Sequence, residues 1–167
     1  MTLDEYLDAR LEPLLRYATA VTCDPHLAQD VVQDVLVRVQ ARWDHIGRLA
    51  QPDAYVRKMV LNEFLSWRRR FAGRTVPARH ETLDAASPLV LDPAVEVAER
   101  DAVVSMIGAL PPRQRAVLAL RFYQGSSDTE IAELLGCSEA TVRSHASRAL
   151  ATLRGGPVGH LVRGETA

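Results

Sequence analysis

Apolar residues recur at helical spacing through most of the chain. Leu7, Leu11, Leu14, Leu15, Ala18 and Val21 predict a first helix over residues 3–21. Thr22-Cys23-Asp24-Pro25 interrupts it. Asp24 suits an N-cap and Pro25 the first helical position, so a second helix starts there. It runs to about Trp43, with Leu27, Val31, Val35, Val39 and Trp43 at four-residue intervals; its other side presents Asp30, Gln33, Asp34 and Val37. A loop is expected from Asp44 to Gln51. Pro52 then opens a long helix to about Phe71, with Val56, Val60, Phe64 and Trp67 as its stripe. That helix ends in Arg68-Arg69-Arg70, a cluster the helix dipole alone would favour.

Pro77, Pro88, Pro93 and the Ala85-Ala86-Ser87 stretch break the periodicity over residues 74–93, which read as a flexible interdomain linker. Helical spacing returns near Ala94, runs to Leu110, and restarts after Pro111-Pro112 through Phe122. The strongest local pattern follows. Ser127-Asp128-Thr129-Glu130 is a capping box opening a short helix that stops at Gly136. Cys137-Ser138 is the turn, and Glu139 to Arg154 is the next helix. This is a helix-turn-helix: Ile131, Leu135 and Val142 bury between its helices, Ala132 permits a close crossing, and Gly136 takes the left-handed turn. Ala140, Arg143, Ser144, Ser147 and Arg148 lie on the outward side of the last helix, and Thr141 falls in its first turn and a half. Their side chains suit base edges and phosphates, at the end of a recognition helix that enters the groove.

The pattern predicts an all-α protein with two small helical domains: residues 1–73, a linker over 74–93, a second domain over 94–155, and a short tail at 156–167. Composition agrees with packed cores, at 47% apolar and 25% charged residues. No apolar run nears the roughly eighteen residues that a membrane span needs. The acidic, amphipathic N-terminus does not resemble a signal peptide, so a cytoplasmic location is expected. Net charge is −1, but it is unevenly spread: residues 75–101 hold six acids and two bases, whereas residues 102–154 hold four acids and six bases. Cys23-x-x-His26 has metal-ligand spacing without a second pair, and no metal or cofactor is expected. The histidines (His26, His45, His80, His145, His160) are scattered and there is no phosphate loop, so no catalytic set is expected and the chain does not read as an enzyme.

Five segments in order resemble the extracytoplasmic-function group of bacterial sigma-70 factors. Ala28-Gln29-Asp30-Val31-Val32-Gln33-Asp34-Val35 is similar to the region 2.2 motif. Asn62 with Ser66-Trp67-Arg68-Arg69-Arg70 resembles the promoter-facing helix of regions 2.3 and 2.4, although Ser66 stands where many members carry Asp. Leu110-Pro111-Pro112-Arg113-Gln114-Arg115 looks like region 4.1. Thr129-Glu130-Ile131-Ala132 and Thr141-Val142-Arg143-Ser144 look like the two helices of region 4.2. The resemblance implies a sigma factor that binds core RNA polymerase, through Asp30, Gln33, Asp34 and Val37, and directs it to promoter DNA. Asn62, Arg68, Arg69 and Arg70 would meet the −10 element. Thr141, Arg143, Ser144, Ser147 and Arg148 would meet the −35 element. The family also implies an anti-sigma protein as a further partner. The competing expectation is a dimeric helix-turn-helix repressor or activator, which has no reason to carry residues 28–37 together with Asn62 and the arginine run.

Overall fold

The computed structural model describes residues 1–71, 97–157 and 159, without the side chains of residues 68–71 and 97–100. The expected linker and most of the expected tail lie outside the described residues. Every regular element among the described residues is helical, and the chain divides into two compact units, Met1–Val76 and Pro77–Ala167.

The first unit contains α1 (Leu3–Thr22), α2 (Pro25–Ala41), α3 (Trp43–Ile46) and α4 (Pro52–Phe71). Thr2 starts α1 with a capping box that the periodicity did not reveal. Its Oγ1 accepts the Glu5 N–H at 3.2 Å while the Glu5 carboxylate accepts the Thr2 N–H at 2.8 Å. Cys23 closes α1 in the left-handed region, φ 52°, and donates its N–H to the Thr19 carbonyl at 2.8 Å. Asp24 caps α2 as expected, accepting the N–H groups of His26 and Leu27 at 2.9 and 3.1 Å. With only two residues between them, α1 and α2 pack on each other, and α4 packs on both. Tyr6, Leu14 and Val21, Val31, Val35 and Val39, and Val56, Val60 and Phe64 fill the shared core.

The loop expected after Trp43 needs correction. Arg42 leaves helical geometry at φ −126° and ψ 16°, so α2 ends at Ala41, and Trp43 begins a separate helical turn. Packing explains the break. The turn buries Ile46 and lays Trp43 against Tyr6, ring centroids 5.0 Å apart and tilted by 44°. Gly47 then passes so close to the Trp43 ring that a Cβ would sit 3.1 Å from it. Tyr6 donates its hydroxyl to Asp53 at 3.5 Å. Burial, with the Asp53 carboxylate beside it, pushes the phenol up to about 12. Arg38 of α2 reaches the buried Glu63 of α4 at 2.6 Å, a charged tie across the core edge.

The second unit contains α5 (Val97–Ala109), α6 (Pro112–Leu118), a π-helical turn (Ala119–Tyr123), α7 (Asp128–Leu135) and α8 (Glu139–Arg154). The expected capping box of α7 is formed, Ser127 with Glu130, and the bonds from Ser127 hold the Glu130 carboxyl below its ordinary value. Gly136 adopts φ 63°, and Ser138 caps α8 by accepting the Thr141 N–H at 3.1 Å. Ile131, Ala132, Leu135 and Val142 are buried as the pattern predicts. Arg115 is the surprise. Only 3% exposed, it donates to the carbonyls of Gly108 and of Leu110, the latter at 3.2 Å, so it staples α6 to the end of α5.

The π-helical turn widens the backbone so that the Gln124 N–H reaches the Ala119 carbonyl at 3.1 Å and the Ser126 N–H reaches the Leu120 carbonyl at 2.9 Å. This keeps Leu120 buried and turns Arg121 toward Asp128.

His145 on α8 has a buried Nδ1 with no hydrogen-bond partner among the described residues. Burial first, then the charges of Arg113 and Arg148, lower its pKa below the ordinary 6.5. A base whose folded pKa lies below its unfolded one takes up its proton first in the unfolded chain. The stability that a neutral His145 contributes is therefore present above about pH 6.5 and declines as pH falls toward the folded value. Thermal unfolding from pH 7.5 to 5 should show this decline, and His145→Gln should flatten it. An identical pH dependence in the variant would rule His145 out as the source.

Candidate functional site

Three exposed surfaces carry the residues singled out in the sequence. The first is on α2, where Asp30, Gln33, Asp34 and Val37 all face away from the core; Val37 is 65% exposed. A branched apolar side chain so open to water, framed by carboxylates and an amide, makes a polar surface with one sticky contact. This face continues into a groove of about 280 Å³ between α1 and α2. Leu7, Leu11 and Leu15 form one wall and Val32, Leu36 and Val37 the other, with Gln29, Gln33 and Gln40 at the rim. Helical spacing alone groups these leucines into one stripe with Leu14, Ala18 and Val21. In fact α1 has two stripes. Tyr6, Leu14, Tyr17, Ala18 and Val21 are buried, while leucines at residues 3, 7, 11 and 15 line the groove. The strict four-residue interval of that second set was the legible signal.

The second surface is on α4. Asn62 is exposed, and so are Tyr55 and Lys58, seven and four residues earlier. That spacing puts an aromatic ring, an ammonium and an amide along one side of the helix. Tyr55 was missed because periodicity identifies apolar positions and says nothing about an aromatic between them. Arg68, Arg69 and Arg70 occupy the last turn of α4, and their side chains lie outside the described residues.

The third surface is the outer side of α8. Arg143, Ser147 and Arg148 are exposed, and Thr141 and Ser144 half-buried. Thr141 is also engaged in the helix cap, its Oγ1 2.9 Å from Ser138 Oγ. The two arginines differ in surroundings. Arg143 Nη1 lies 3.4 Å from Glu139 Oε2 and 3.9 Å from Asp128 Oδ2. Arg148 makes no ion pair with any described residue. Among the described residues no cluster of histidine, cysteine and carboxylate side chains could hold a metal ion, and no helix is long and apolar enough to cross a membrane.

Comparison with known proteins follows the division of the chain. The family model described as sigma-70 region 2 matches residues 7–75, and that described as sigma-70, region 4 matches residues 100–153. The RNA polymerase sigma-E factor of Streptomyces avermitilis is 38% identical over 154 residues, covering 92% of this chain and 84% of its own length. That of Streptomyces coelicolor is 37% identical over 155 residues, covering 92% and 85%. The ECF RNA polymerase sigma factor SigL of Mycobacterium tuberculosis is 30% identical over 148 residues, covering 88% and 84%. Among solved structures, the sigma factor RpoE of Bartonella quintana, in complex with the anti-sigma factor NepR, superposes with a TM-score of 0.61. It is 22% identical and the match covers 98% of each chain, a likeness of fold.

Proposed function

The chain belongs to the extracytoplasmic-function group of the sigma-70 family of RNA polymerase sigma factors, and from that premise we propose which surface meets which partner. The observation that carries the reading is the coincidence of family model and compact unit. Region 2 falls within Met1–Val76, the unit that carries the α2 and α4 surfaces, and region 4 within Pro77–Ala167, the unit that carries the α8 surface.

Core polymerase docks on α2 through Asp30, Gln33, Asp34 and Val37, with the leucine groove beside them extending the apolar part of the contact. The polar frame keeps the association reversible, which a factor that must leave the polymerase requires. Promoter DNA meets α4 and α8. Along α4, Asn62 offers an amide to an unstacked −10 base, Tyr55 a stacking face, and Lys58 with Arg68, Arg69 and Arg70 phosphate contacts. Along α8, Thr141, Arg143, Ser144, Ser147 and Arg148 meet the −35 element in the major groove. An anti-sigma protein that covered α2 would compete directly with polymerase. The protein acts in the cytoplasm, where its polymerase is, and carries no catalytic step of its own. A dimeric repressor is not favoured, because relatives matched over four-fifths of their length are sigma factors.

The test is a titration of core polymerase followed by transcription from a promoter library. Asp30→Ala with Gln33→Ala should weaken core binding by about 1–2 kcal/mol, roughly tenfold in Kd, at unchanged helix content. Unchanged affinity would remove this face from the interface, and a collapse of helix content would mean the two sides of α2 are assigned the wrong way round.

A further inference from the structure

Arg143 belongs to a polar network that spans three elements. Its Nη1 faces two carboxylates, Glu139 at 3.4 Å and Asp128 at 3.9 Å, and each carboxylate is held through its other oxygen. Glu139 Oε1 accepts the Thr129 hydroxyl at 2.8 Å, which fixes it from α7. Asp128 Oδ1 accepts from Arg121 Nη2, which fixes it from the π-helical turn. Asp128 is also the first residue of α7, where the helix dipole favours its charge. The side chain of Arg143 itself remains 59% exposed.

We infer that Asp128 and Glu139 are specificity-determining residues that restrain and partly neutralise Arg143. The inference rests on the assignment of α8 to the −35 element. A guanidinium facing solvent alone is a mobile cation and binds any phosphate it can reach. With Nη1 directed at two anchored carboxylates, the remaining Nη2 and Nε form a fork of fixed direction, suited to the O6 and N7 acceptors of guanine. The carboxylates also lower the attraction of this end of α8 for phosphate. DNA without a matching base edge then offers Arg143 too little to exchange its carboxylate partners for. The network thus reduces binding to wrong sequences more than binding to the right one. The π-helical turn has a role in this scheme, because it turns Arg121 toward the carboxylate it anchors.

The isosteric changes Asp128→Asn and Glu139→Gln, singly and together, remove charge and keep the acceptors for Arg121 and Thr129. Holoenzyme carrying each variant is titrated against a preferred promoter and a set with −35 substitutions, at several salt concentrations, with and without Arg143→Ala. The expected result is a gain of about two- to fivefold on substituted promoters with a smaller gain on the preferred one. Discrimination falls and the salt slope steepens by up to about one unit. These shifts should vanish when Arg143 is alanine. The inference is overturned by no change, by a uniform loss on all promoters, or by gains that persist without Arg143, which would be the effect of net charge alone. If the Asp128 change lowers the melting temperature, the exposed Glu139→Gln decides by the same criteria. Arg143→Ala alone separates the two levels: without effect, it sinks the −35 assignment itself; with an effect but no coupling to the carboxylates, it sinks only this inference.

Discussion

Replacing Arg115 by methionine should destabilise the C-terminal unit by about 2–4 kcal/mol, although the side chain touches no surface assigned to a partner. The substitution keeps the apolar stem and much of the volume of the side chain but removes its donors. The Gly108 and Leu110 carbonyls then lose a charged partner at the junction of α5 and α6. Hydrogen bonds to charged groups contribute about 1.5–3 kcal/mol, and an orphaned buried acceptor costs about 1–3. A unit of this size holds on the order of 3–9 kcal/mol in total, so the loss is a large fraction of it. Arg113, two residues earlier, is exposed and donates to the Leu135 carbonyl at 3.4 Å; Arg113→Met should cost under about 1 kcal/mol. Denaturant unfolding of the full chain would show the contrast in the transition of the C-terminal unit. Equal, small losses for both would mean that Arg115 does not hold α5 to α6.

This arginine illustrates what a sequence conceals. Leu110-Pro111-Pro112-Arg113-Gln114-Arg115 is legible as a motif, yet nothing in it says which arginine faces inward. The long helices were readable because their core stripes repeat within one segment: Val31, Val35 and Val39, or Val56, Val60 and Phe64, each announce a single buried face. The caps at Asp24, Ser127 and Ser138 were readable because each bonds within three residues of itself beside a break in the apolar repeat. Features that depend on a distant partner were not. The α3 turn forms because Trp43 finds Tyr6, thirty-seven positions away. The π-helical turn depends on bonds five and six residues back, for which composition offers no signature. Of the candidate site, exposure at Asp30, Gln33, Val37, Asn62, Arg143 and Arg148 follows directly from helical phase. The α2 wall that completes the leucine groove, Tyr55 and the carboxylates beside Arg143 needed the assembled helices.

Removal of Arg143 and removal of Arg148 should change promoter binding in different ways. Five positions apart, the two arginines are about 140° apart around α8 and cannot make equivalent contacts. Arg143 lies in the first turn and a half, the part of a recognition helix that enters the major groove most deeply. Its surroundings add to that position. Two carboxylates offset its charge, whereas Arg148 makes no ion pair with any described residue, which leaves its charge for a phosphate. Arg143→Ala should therefore cost about 1–3 kcal/mol on the preferred promoter and much less on others, flattening preference at one −35 position. Its effect on the salt slope should be small, because the carboxylates already offset the charge that is removed. Arg148→Ala should weaken all promoters alike and lower the slope by about one unit. The measurement is holoenzyme binding to single-base −35 variants across a salt series. Reversal of the two patterns would exchange the roles of the arginines. If Arg143→Ala left both affinity and preference intact, α8 would not be the reading helix, and the −35 element would have to be recognised by another surface of the C-terminal unit.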